Sequence, residues 1–326
     1  MTAGFALPAL EHIEAAAKLI YQVMPPTPQY NWPLLSQQAG AQIWVKHENH
    51  SPIGAFKIRG GLMYFDQLAR QGSPPAGVVS ATRGNHGQSI GFAARQHGIA
   101  ATIVVPHGNS VEKNAAMRAL GVTLVEHGED FQAAREYAQQ LADRDGLHMV
   151  PSFHAALVAG VATYSMELLR AVPDLDVLYV PIGLGSGICG AAAARRALGH
   201  RVEIVGIVSS AAPAYARSFA SRTLQEAPVS TRIADGMACR QPEQAALNVI
   251  LDEVSRIVEV SDKEVEAAMA MLLSCTHNVA EGAGAAGLAA ILRDRDALVG
   301  KRVAFVLSGG NVDCGVLASI LAQTHR

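Results

Sequence analysis

Lys57 is the residue of this sequence that its neighbours equip best for chemistry. It follows Phe56 in a turn that Gly54 marks, and Arg59 and two glycines come soon after it. Most lysines lie at the protein surface and stay charged. A lysine that is partly shielded from water gives up its proton more readily, and the neutral amine attacks carbonyl carbons. Lys57 is therefore a candidate nucleophile and base.

Three other segments of small and polar residues each follow a strand-like apolar run. They are residues 80–88 (SATRGNHGQ), 183–190 (GLGSGICG) and 307–311 (LSGGN). Such turns lie at the carboxyl ends of parallel strands, where open α/β sheets bind their ligands. The free amides of a helix that starts there attract anions. We therefore expect these turns to form one ligand site with Lys57.

The elements that would hold these turns alternate along the chain. Strands are expected near 43–45, 78–79, 102–105, 122–125, 148–150, 177–180, 202–205 and 303–306, and helices near 10–23, 86–97, 110–120 and 130–143. The alternation predicts a two-lobed α/β fold of mostly parallel, twisted sheets with helices on both faces. We expect residues 75–150 to form a small domain inserted into a large domain of residues 1–74 and 151–326.

Composition narrows the class of protein. The residues are 50% hydrophobic and 17% charged, which fills a large core, and the net charge of −2 offers no basic surface for nucleic acid. No apolar run approaches the roughly 20 residues of a membrane helix, and the first residues lack the basic region of a signal peptide. The four cysteines are widely spaced, as expected of free thiols in a reducing compartment. We expect a cytoplasmic protein.

In their order along the chain, the four segments resemble the fold-type II pyridoxal-phosphate enzymes, whose fold is like that of the tryptophan synthase β subunit. Within them they resemble the serine/threonine dehydratase (ammonia-lyase) and serine racemase group. Residues 46–48 (KHE), residues 233–236 (IADG) and Glu281 add to the match, which runs from residue 27 to about 317. The resemblance implies a pyridoxal 5'-phosphate cofactor, a small-molecule amino-acid substrate and a homodimer.

The resemblance also implies roles for individual residues. In the family, the lysine that matches Lys57 binds the cofactor aldehyde and later removes the α-proton of the amino acid. The residue matching Phe56 packs near the pyridine face, Asn85 matches the contact to the ring hydroxyl, and Ser308 matches the partner of the pyridine nitrogen. The loop that carries the phosphate consists here of Gly183, Leu184, Gly185, Ser186 and Gly187.

The substrate carboxylate would be held, largely through backbone amides, by the turn that contains Thr82, Arg83, Asn85 and His86. We therefore expect His86 to bind rather than to transfer protons. A neutral hydroxyl at Ser308 leaves the pyridine ring largely unprotonated. A long-lived carbanion is then disfavoured, and β-elimination is favoured.

A dinucleotide site is the main alternative for the glycine loop, because residues 185–190 fit the pattern G-x-G-x-x-G. That pattern is weak by itself. A dinucleotide site also needs an acidic residue at the end of the following strand. That strand ends in Val208, Ser209 and Ser210, so this interpretation is disfavoured.

Two positions depart from the family pattern. Arg83 stands where serine racemases have a serine that acts as a second base, and because a guanidinium cannot take a proton, racemisation is disfavoured. Arg83 either pairs with a second substrate carboxylate, as in 3-hydroxyaspartate, or points outward. Val208 stands where some members have a metal-binding glutamate, so we expect no magnesium site there.

The sequence therefore predicts a pyridoxal-phosphate-dependent enzyme of amino-acid catabolism that dehydrates and deaminates L-threonine or L-serine to a 2-oxo acid and ammonia. A dehydratase of 3-hydroxyaspartate or of another specialised β-hydroxy amino acid is the alternative. A β-replacement synthase and a binding protein without turnover stay open. No C-terminal regulatory domain is expected, since the chain ends soon after residue 308.

Overall fold

A computed structural model describes residues 5–72 and 75–324 of the chain. The strands are β1 Gln29–Asn31, β2 Gln42–His47, β3 Val78–Ala81, β4 Ala101–Val105, β5 Thr123–Glu126, β6 His148–Met149, β7 Val177–Pro181, β8 Glu203–Ser209, β9 Arg256–Val260 and β10 Arg302–Leu307. The helices are α1 Leu10–Ile20, α2 Pro33–Ala39, α3 Lys57–Ala69, α4 Asn85–Gln96, α5 Val111–Ala119, α6 Phe131–Asp145, α7 Ala155–Ala171, α8 Ser186–Leu198, α9 Ala214–Ser221, α10 Gln244–Glu253, α11 Asp262–Thr276, α12 Gly282–Asp294 and α13 Cys314–Thr324.

The strands form two sheets. One has six strands in the order β1-β2-β10-β7-β8-β9, and the other has four in the order β5-β4-β3-β6. All neighbouring strands are parallel except β1 and β2. This confirms the predicted α/β class with mostly parallel sheets.

Side-chain alternation along the central strands explains why helices cover both faces of the six-stranded sheet. In β7, Leu178 and Val180 enter the core formed with α7 and α8, whereas Val177 and Tyr179 enter the core formed with α11 and α12. Successive residues of a strand point to opposite faces. A parallel strand buried on both faces therefore reads as a continuous apolar run, which is the pattern that located β7 in the sequence.

The strands of the four-stranded sheet all lie between residues 78 and 149, and those of the six-stranded sheet lie before 48 or after 176. The strands thus divide as the predicted domains do, although residue 74, which ends the first predicted segment, lies outside the described residues. The division into a small and a large domain stays a prediction. Helix α3 packs against the four-stranded sheet, because its residues Ile58, Leu62 and Phe65 belong to the hydrophobic core beside that sheet.

Most predicted strands and helices are confirmed, but helices α2, α3, α7 and α9 to α13 have no counterpart among the predicted ranges, and one helix end and two strands also differ. Helix α1 ends at Ile20 rather than at residue 23. Strands β1 and β9 were not predicted, because β1 has only three residues and β9 carries Arg256 and Glu259 in an otherwise apolar run. Among the helices of residues 5–72 and 75–324, none is long and apolar enough to cross a membrane.

Candidate active site

Lys57 is the first residue of α3, and its amine lies among weakly polar neighbours. Its Nζ lies 3.2 Å from Ser186 Oγ and 5.0 Å from the centre of the Phe56 ring. Loss of hydration on burial lowers the pKa of Lys57 to about 8. About a tenth of such amines are uncharged at neutral pH, far more than for an ordinary lysine. The side chain is therefore suited to attack a carbonyl or to accept a proton.

The glycine turn after β7 faces this amine through Ser186, the first residue of α8. Gly185 has φ +105°, and a Cβ there would lie 2.5 Å from Ala246 Cβ; a Cβ at Gly183 would lie 2.4 Å from the carbonyl oxygen of Gly236. Tyr215 donates a hydrogen bond to the carbonyl of Leu184 (3.0 Å) and so fixes the turn. Among the described residues, no side chain caps the start of α8, which leaves its first amides free for an anion.

Ser308 ends β10 on the other side of Lys57. Its carbonyl accepts a hydrogen bond from the Phe56 amide (2.9 Å), and Gly309 forms a β-bridge with Ala55. These bonds fix the turn before Lys57 against the turn after β10. The Ser308 side chain is buried, and its hydroxyl has no hydrogen-bond partner within the part of the chain that the structure describes. A ligand atom can therefore use it.

Asn85, the first residue of α4, joins two of the predicted turns. Its Nδ2 donates to Glu281 Oε1 (2.6 Å), and its Oδ1 accepts from Asn311 Nδ2 (2.9 Å). Asn311 also donates to the carbonyl of Ile53 (2.8 Å), just before the lysine turn. The structure thus brings the lysine turn, the Asn85 turn and the Ser308 turn together, as the strand-end argument predicted.

The rest of the Asn85 turn is mostly buried. Thr82 Oγ1 accepts a hydrogen bond from the Gly84 amide (3.0 Å). Burial, and then the positive charge of Lys57, lower the pKa of His86 to about 3, so this imidazole is neutral. Its Nε2 is buried and has no hydrogen-bond partner in the described part of the chain. Arg83 is half-buried, and its guanidinium makes no hydrogen bond or ion pair with any residue of 5–72 or 75–324.

Three charged side chains form a cluster beside this turn, and the sequence motifs included only the two acidic ones. Lys113 of α5 forms ion pairs with Asp235 (2.8 Å) and Glu281 (3.1 Å). Burial raises the pKa of Glu281, and the charge of Lys113 opposes that shift. Glu281 and Asp235 belonged to the quoted motifs, but Lys113 gave no signal because residues 111–114 read as an ordinary polar helix start.

A second charged group lies behind Lys57. Arg59 is completely buried and forms ion pairs with Glu48 (2.8 Å) and Glu167 (2.6 Å), and Lys46 pairs with Glu167 (2.6 Å). Two positive and two negative side chains thus compensate one another. Glu167 was missed, because it lies on α7, more than a hundred residues from its partners.

These groups fit pyridoxal phosphate. The amine of Lys57 could hold an aldehyde, the free amides at the start of α8 could hold a phosphate, and the unpartnered hydroxyl of Ser308 could face a neutral ring nitrogen. The absence of a side chain at Gly183 and Gly185 lets the loop backbone pack closely against Gly236 and Ala246. Within the described ranges, no group of three or more His, Cys, Asp or Glu residues could hold a metal ion. The predicted absence of a magnesium site stays a prediction.

Comparisons with known proteins agree with this geometry. A family model described as "Pyridoxal-phosphate dependent enzyme" matches residues 20–309. An L-threonine ammonia-lyase of Thermotoga maritima is 33% identical over 313 residues, which cover 96% of this chain and 78% of the relative. An L-threo-3-hydroxyaspartate ammonia-lyase of Saccharomyces cerevisiae is 31% identical, with 97% of each chain covered.

Solved structures give the same result for the fold. Maize serine racemase superposes with a TM-score of 0.89 at 27% identity, with 98% of each chain covered. The family match spans most of the chain, and two relatives exceed 30% identity over almost all of it. The chain therefore belongs to the family of pyridoxal-phosphate dependent enzymes.

Proposed function

We propose that this protein is a pyridoxal-phosphate-dependent ammonia-lyase that converts a β-hydroxy amino acid, L-threonine or L-serine in the simplest case, to a 2-oxo acid and ammonia. The observation that carries the proposal is the amine of Lys57, which has a pKa of about 8 and lies 3.2 Å from Ser186 Oγ at the start of α8. The names of the ammonia-lyase relatives support the same activity.

The residues that would hold the cofactor come from four turns. Lys57 would bind its aldehyde, Phe56 would contact its ring, Asn85 its ring hydroxyl and Ser308 its ring nitrogen. Its phosphate would lie on the loop formed by Gly183, Leu184, Gly185, Ser186 and Gly187. When bound, pyridoxal phosphate acts as an electron sink that makes the α-hydrogen of an amino acid acidic.

Lys57 is the base in this proposal. Its uncharged Nζ would remove the hydrogen from the Cα of a bound substrate. Nζ is then an ammonium group, and Ser186 Oγ can accept one of its hydrogen bonds. No carboxylate of the described residues forms an ion pair with Lys57, so the amine is not held permanently in its charged form.

The turn of residues 82–86 would bind the substrate carboxylate. The start of α4 supplies backbone amides there, and anions are stabilised at helix N-termini. Thr82 shapes the turn through its bond to the Gly84 amide. His86 is neutral at physiological pH, so it adds no positive charge and is not an efficient acid.

The overall reaction balances without a further reagent. Loss of the Cα hydrogen and the Cβ hydroxyl releases water and leaves an enamine. The enamine tautomerises to an imine, to which one water adds before ammonia leaves. The net products are one 2-oxo acid and one ammonia, so neither an oxidant nor a reductant is required.

A 3-hydroxyaspartate dehydratase is the second candidate function. The half-buried guanidinium of Arg83 lies in the substrate turn without a partner among the described residues, and arginine binds carboxylates through two parallel hydrogen bonds. The ammonia-lyase relative from yeast carries 3-hydroxyaspartate in its name. Racemisation is not proposed as the main reaction, since Arg83 cannot accept a proton.

A panel of amino acids assayed for 2-oxo acid and ammonia tests the proposal. We expect equal amounts of both products from L-threonine or L-serine, or from a 3-hydroxyaspartate isomer if Arg83 binds a second carboxylate. An Arg83→Ser variant that leaves the ratio of threonine to hydroxyaspartate turnover unchanged would remove the second candidate. Absence of 2-oxo acid from every β-hydroxy amino acid would refute the lyase activity.

We also propose a homodimer in the cytoplasm. Tyr30 and Leu34 are each about half exposed, which leaves apolar surface that a second copy could cover. All four cysteines are free, as is usual in a reducing compartment. Light scattering after size-exclusion chromatography should give twice the mass of one chain, and the mass of a single chain would contradict the dimer.

A further inference from the structure

The first turn of α5 links the two sheets at the edge of the active site. Helix α5 packs beside the four-stranded sheet, whereas residues 313 and 314 follow the last strand of the six-stranded sheet. Ser110 Oγ donates to Asp313 Oδ1 (2.5 Å), and Glu112 Oε1 accepts from the amide of Cys314 (2.7 Å), the first residue of α13. These bonds thus fix the start of α5 to the segment that follows β10 of the six-stranded sheet.

Lys113 extends this link across the substrate turn. A Cβ at Gly84 would lie 2.4 Å from Lys113 Cδ, so the stem of this lysine lies directly against the Gly84 backbone. Its Nζ then reaches Asp235 (2.8 Å), which lies between β8 and β9, and Glu281 (3.1 Å), the residue before α12. One side chain therefore contacts the substrate turn of one sheet and two acids beside the other.

Glu281 completes the connection to the Ser308 turn. Its Oε1 accepts from Asn85 Nδ2 (2.6 Å), and its amide donates to the carbonyl of Gly309 (3.0 Å). Lys113 and Glu281 are almost completely buried. Buried charges are costly unless they are well paired, so their geometry is strongly restrained.

We propose that Lys113 is a positioning residue that holds the turn of residues 82–86 against the Ser308 turn and thereby sets the affinity for the substrate carboxylate. This rests on the proposed function, because that turn must bind the carboxylate. Burial by itself would lower the pKa of Lys113, but the charges of Glu281 and Asp235 raise it above its usual value, so this amine stays charged at neutral pH.

The test compares Lys113→Met with Arg118→Met in the cofactor-loaded enzyme. Methionine keeps most of the stem but removes the charge. Arg118 lies on the same helix, and its exposed ion pair with Glu126 should matter little. The measurements are KM and kcat for the best substrate of the panel, the dissociation constant of glycine by calorimetry, and bound cofactor by absorbance. Glycine has a carboxylate but no β-leaving group.

We expect Lys113→Met to raise KM and the glycine dissociation constant by about tenfold or more, while it retains bound cofactor. Arg118→Met should stay within about twofold of the wild type. A Lys113→Met enzyme that binds glycine and substrate as tightly as the wild type overturns the proposal. A loss of affinity matched by Arg118→Met would also overturn it.

If Lys113→Met does not fold, Asp235→Asn tests whether Lys113 positions the substrate turn. It removes one of the two acids but leaves Lys113 paired with Glu281, so we expect a smaller rise in both constants. Wild-type affinity in this variant contradicts the proposal, and Lys113→Arg should recover part of the lost affinity. A wild-type enzyme without turnover would instead refute the proposed lyase activity. Failure of the proposed function can therefore be told apart from failure of the positioning role of Lys113.

Discussion

The surroundings of Lys57 and Lys113 shift the pKa values of these two lysines in opposite directions. Lys57 has no acidic partner among the described residues, and desolvation lowers its pKa to about 8. Lys113 is also buried, but Glu281 and Asp235 keep its pKa above the usual value. A charged amine cannot attack a carbonyl, whereas a neutral one cannot anchor a turn by ion pairing. Neighbouring side chains thus suit one lysine to chemistry and the other to positioning.

The pKa of Lys57 predicts how fast cofactor-free enzyme binds pyridoxal phosphate covalently. The reacting form is the neutral amine, and its fraction grows as the pH rises through about 8. The capture rate constant should therefore rise about tenfold from pH ~7 to ~9 and then level off. Stopped-flow absorbance measures this rate. A profile that is flat over that range, or one that still climbs steeply above it, would contradict the lowered pKa.

At the scale of an element, the start of α8 is shaped for an anion by its glycine turn. Gly185 has φ +105°, and its Cα lies close to Ala246, so a side chain would be strained and would also clash. Gly199 at the other end of α8 has φ +60° with open space around it. Both positions have a positive φ, but that of Gly185 lies further outside the left-handed region that other residues enter, and only Gly185 belongs to the proposed phosphate loop.

These two glycines provide a matched pair of variants. Gly185→Ala should weaken the affinity for pyridoxal phosphate at least about tenfold and destabilise the protein by about 1–3 kcal/mol. Gly199→Ala should cost about 1 kcal/mol of stability through its positive φ and leave cofactor affinity unchanged. Fluorescence titration of cofactor-free protein gives both affinities. Equal affinities for the two variants would argue against a phosphate on this loop.

At the scale of the whole molecule, a buried ionic cluster connects segments that are far apart in sequence. Arg59 of α3 pairs with Glu48 after β2 and with Glu167 of α7, and Lys46 of β2 pairs with Glu167 as well. Lys57 begins the same helix as Arg59. The cluster therefore fixes the start of α3, and with it the amine of Lys57, relative to β2 and α7.

Removing Arg59 should be costly, because it leaves acidic groups buried without their main partner. Arg59→Met should lower the free energy of unfolding by about 3–5 kcal/mol. Arg70→Met is the control, since Arg70 lies just after α3, is exposed and pairs with Asp66 there, and it should cost less than about 1 kcal/mol. Urea denaturation followed by circular dichroism measures both. Similar losses for the two variants would show that the cluster contributes little.

The sequence predicted those parts of the fold that leave a local pattern. Strands such as β7 and β10 are buried on both faces and appear as apolar runs. Strand β9 was missed because Arg256 and Glu259 interrupt its pattern, and β1 because three residues paired antiparallel to β2 carry too little signal. The ends of predictable strands also located the glycine, asparagine and serine turns of the candidate site, whereas Lys57 was identified from its neighbouring residues.

Contacts between distant residues could not be predicted in this way. Lys113 looks like a surface residue of a polar helix start, and only the fold brings it to Asp235 and Glu281. Glu167 likewise lies in an apolar helix, where nothing local indicates Arg59 as its partner. Such pairs depend on how the two sheets meet, which hydrophobic periodicity does not specify.

Peptide mapping after borohydride reduction shows directly whether Lys57 is the lysine that binds pyridoxal phosphate. The wild-type enzyme is incubated with pyridoxal phosphate, reduced, digested and analysed by mass spectrometry. We expect a phosphopyridoxyl group on Lys57 and on none of the other lysines, which are Lys18, Lys46, Lys113, Lys263 and Lys301. An unmodified Lys57, or a stoichiometric label on a different lysine, would contradict it.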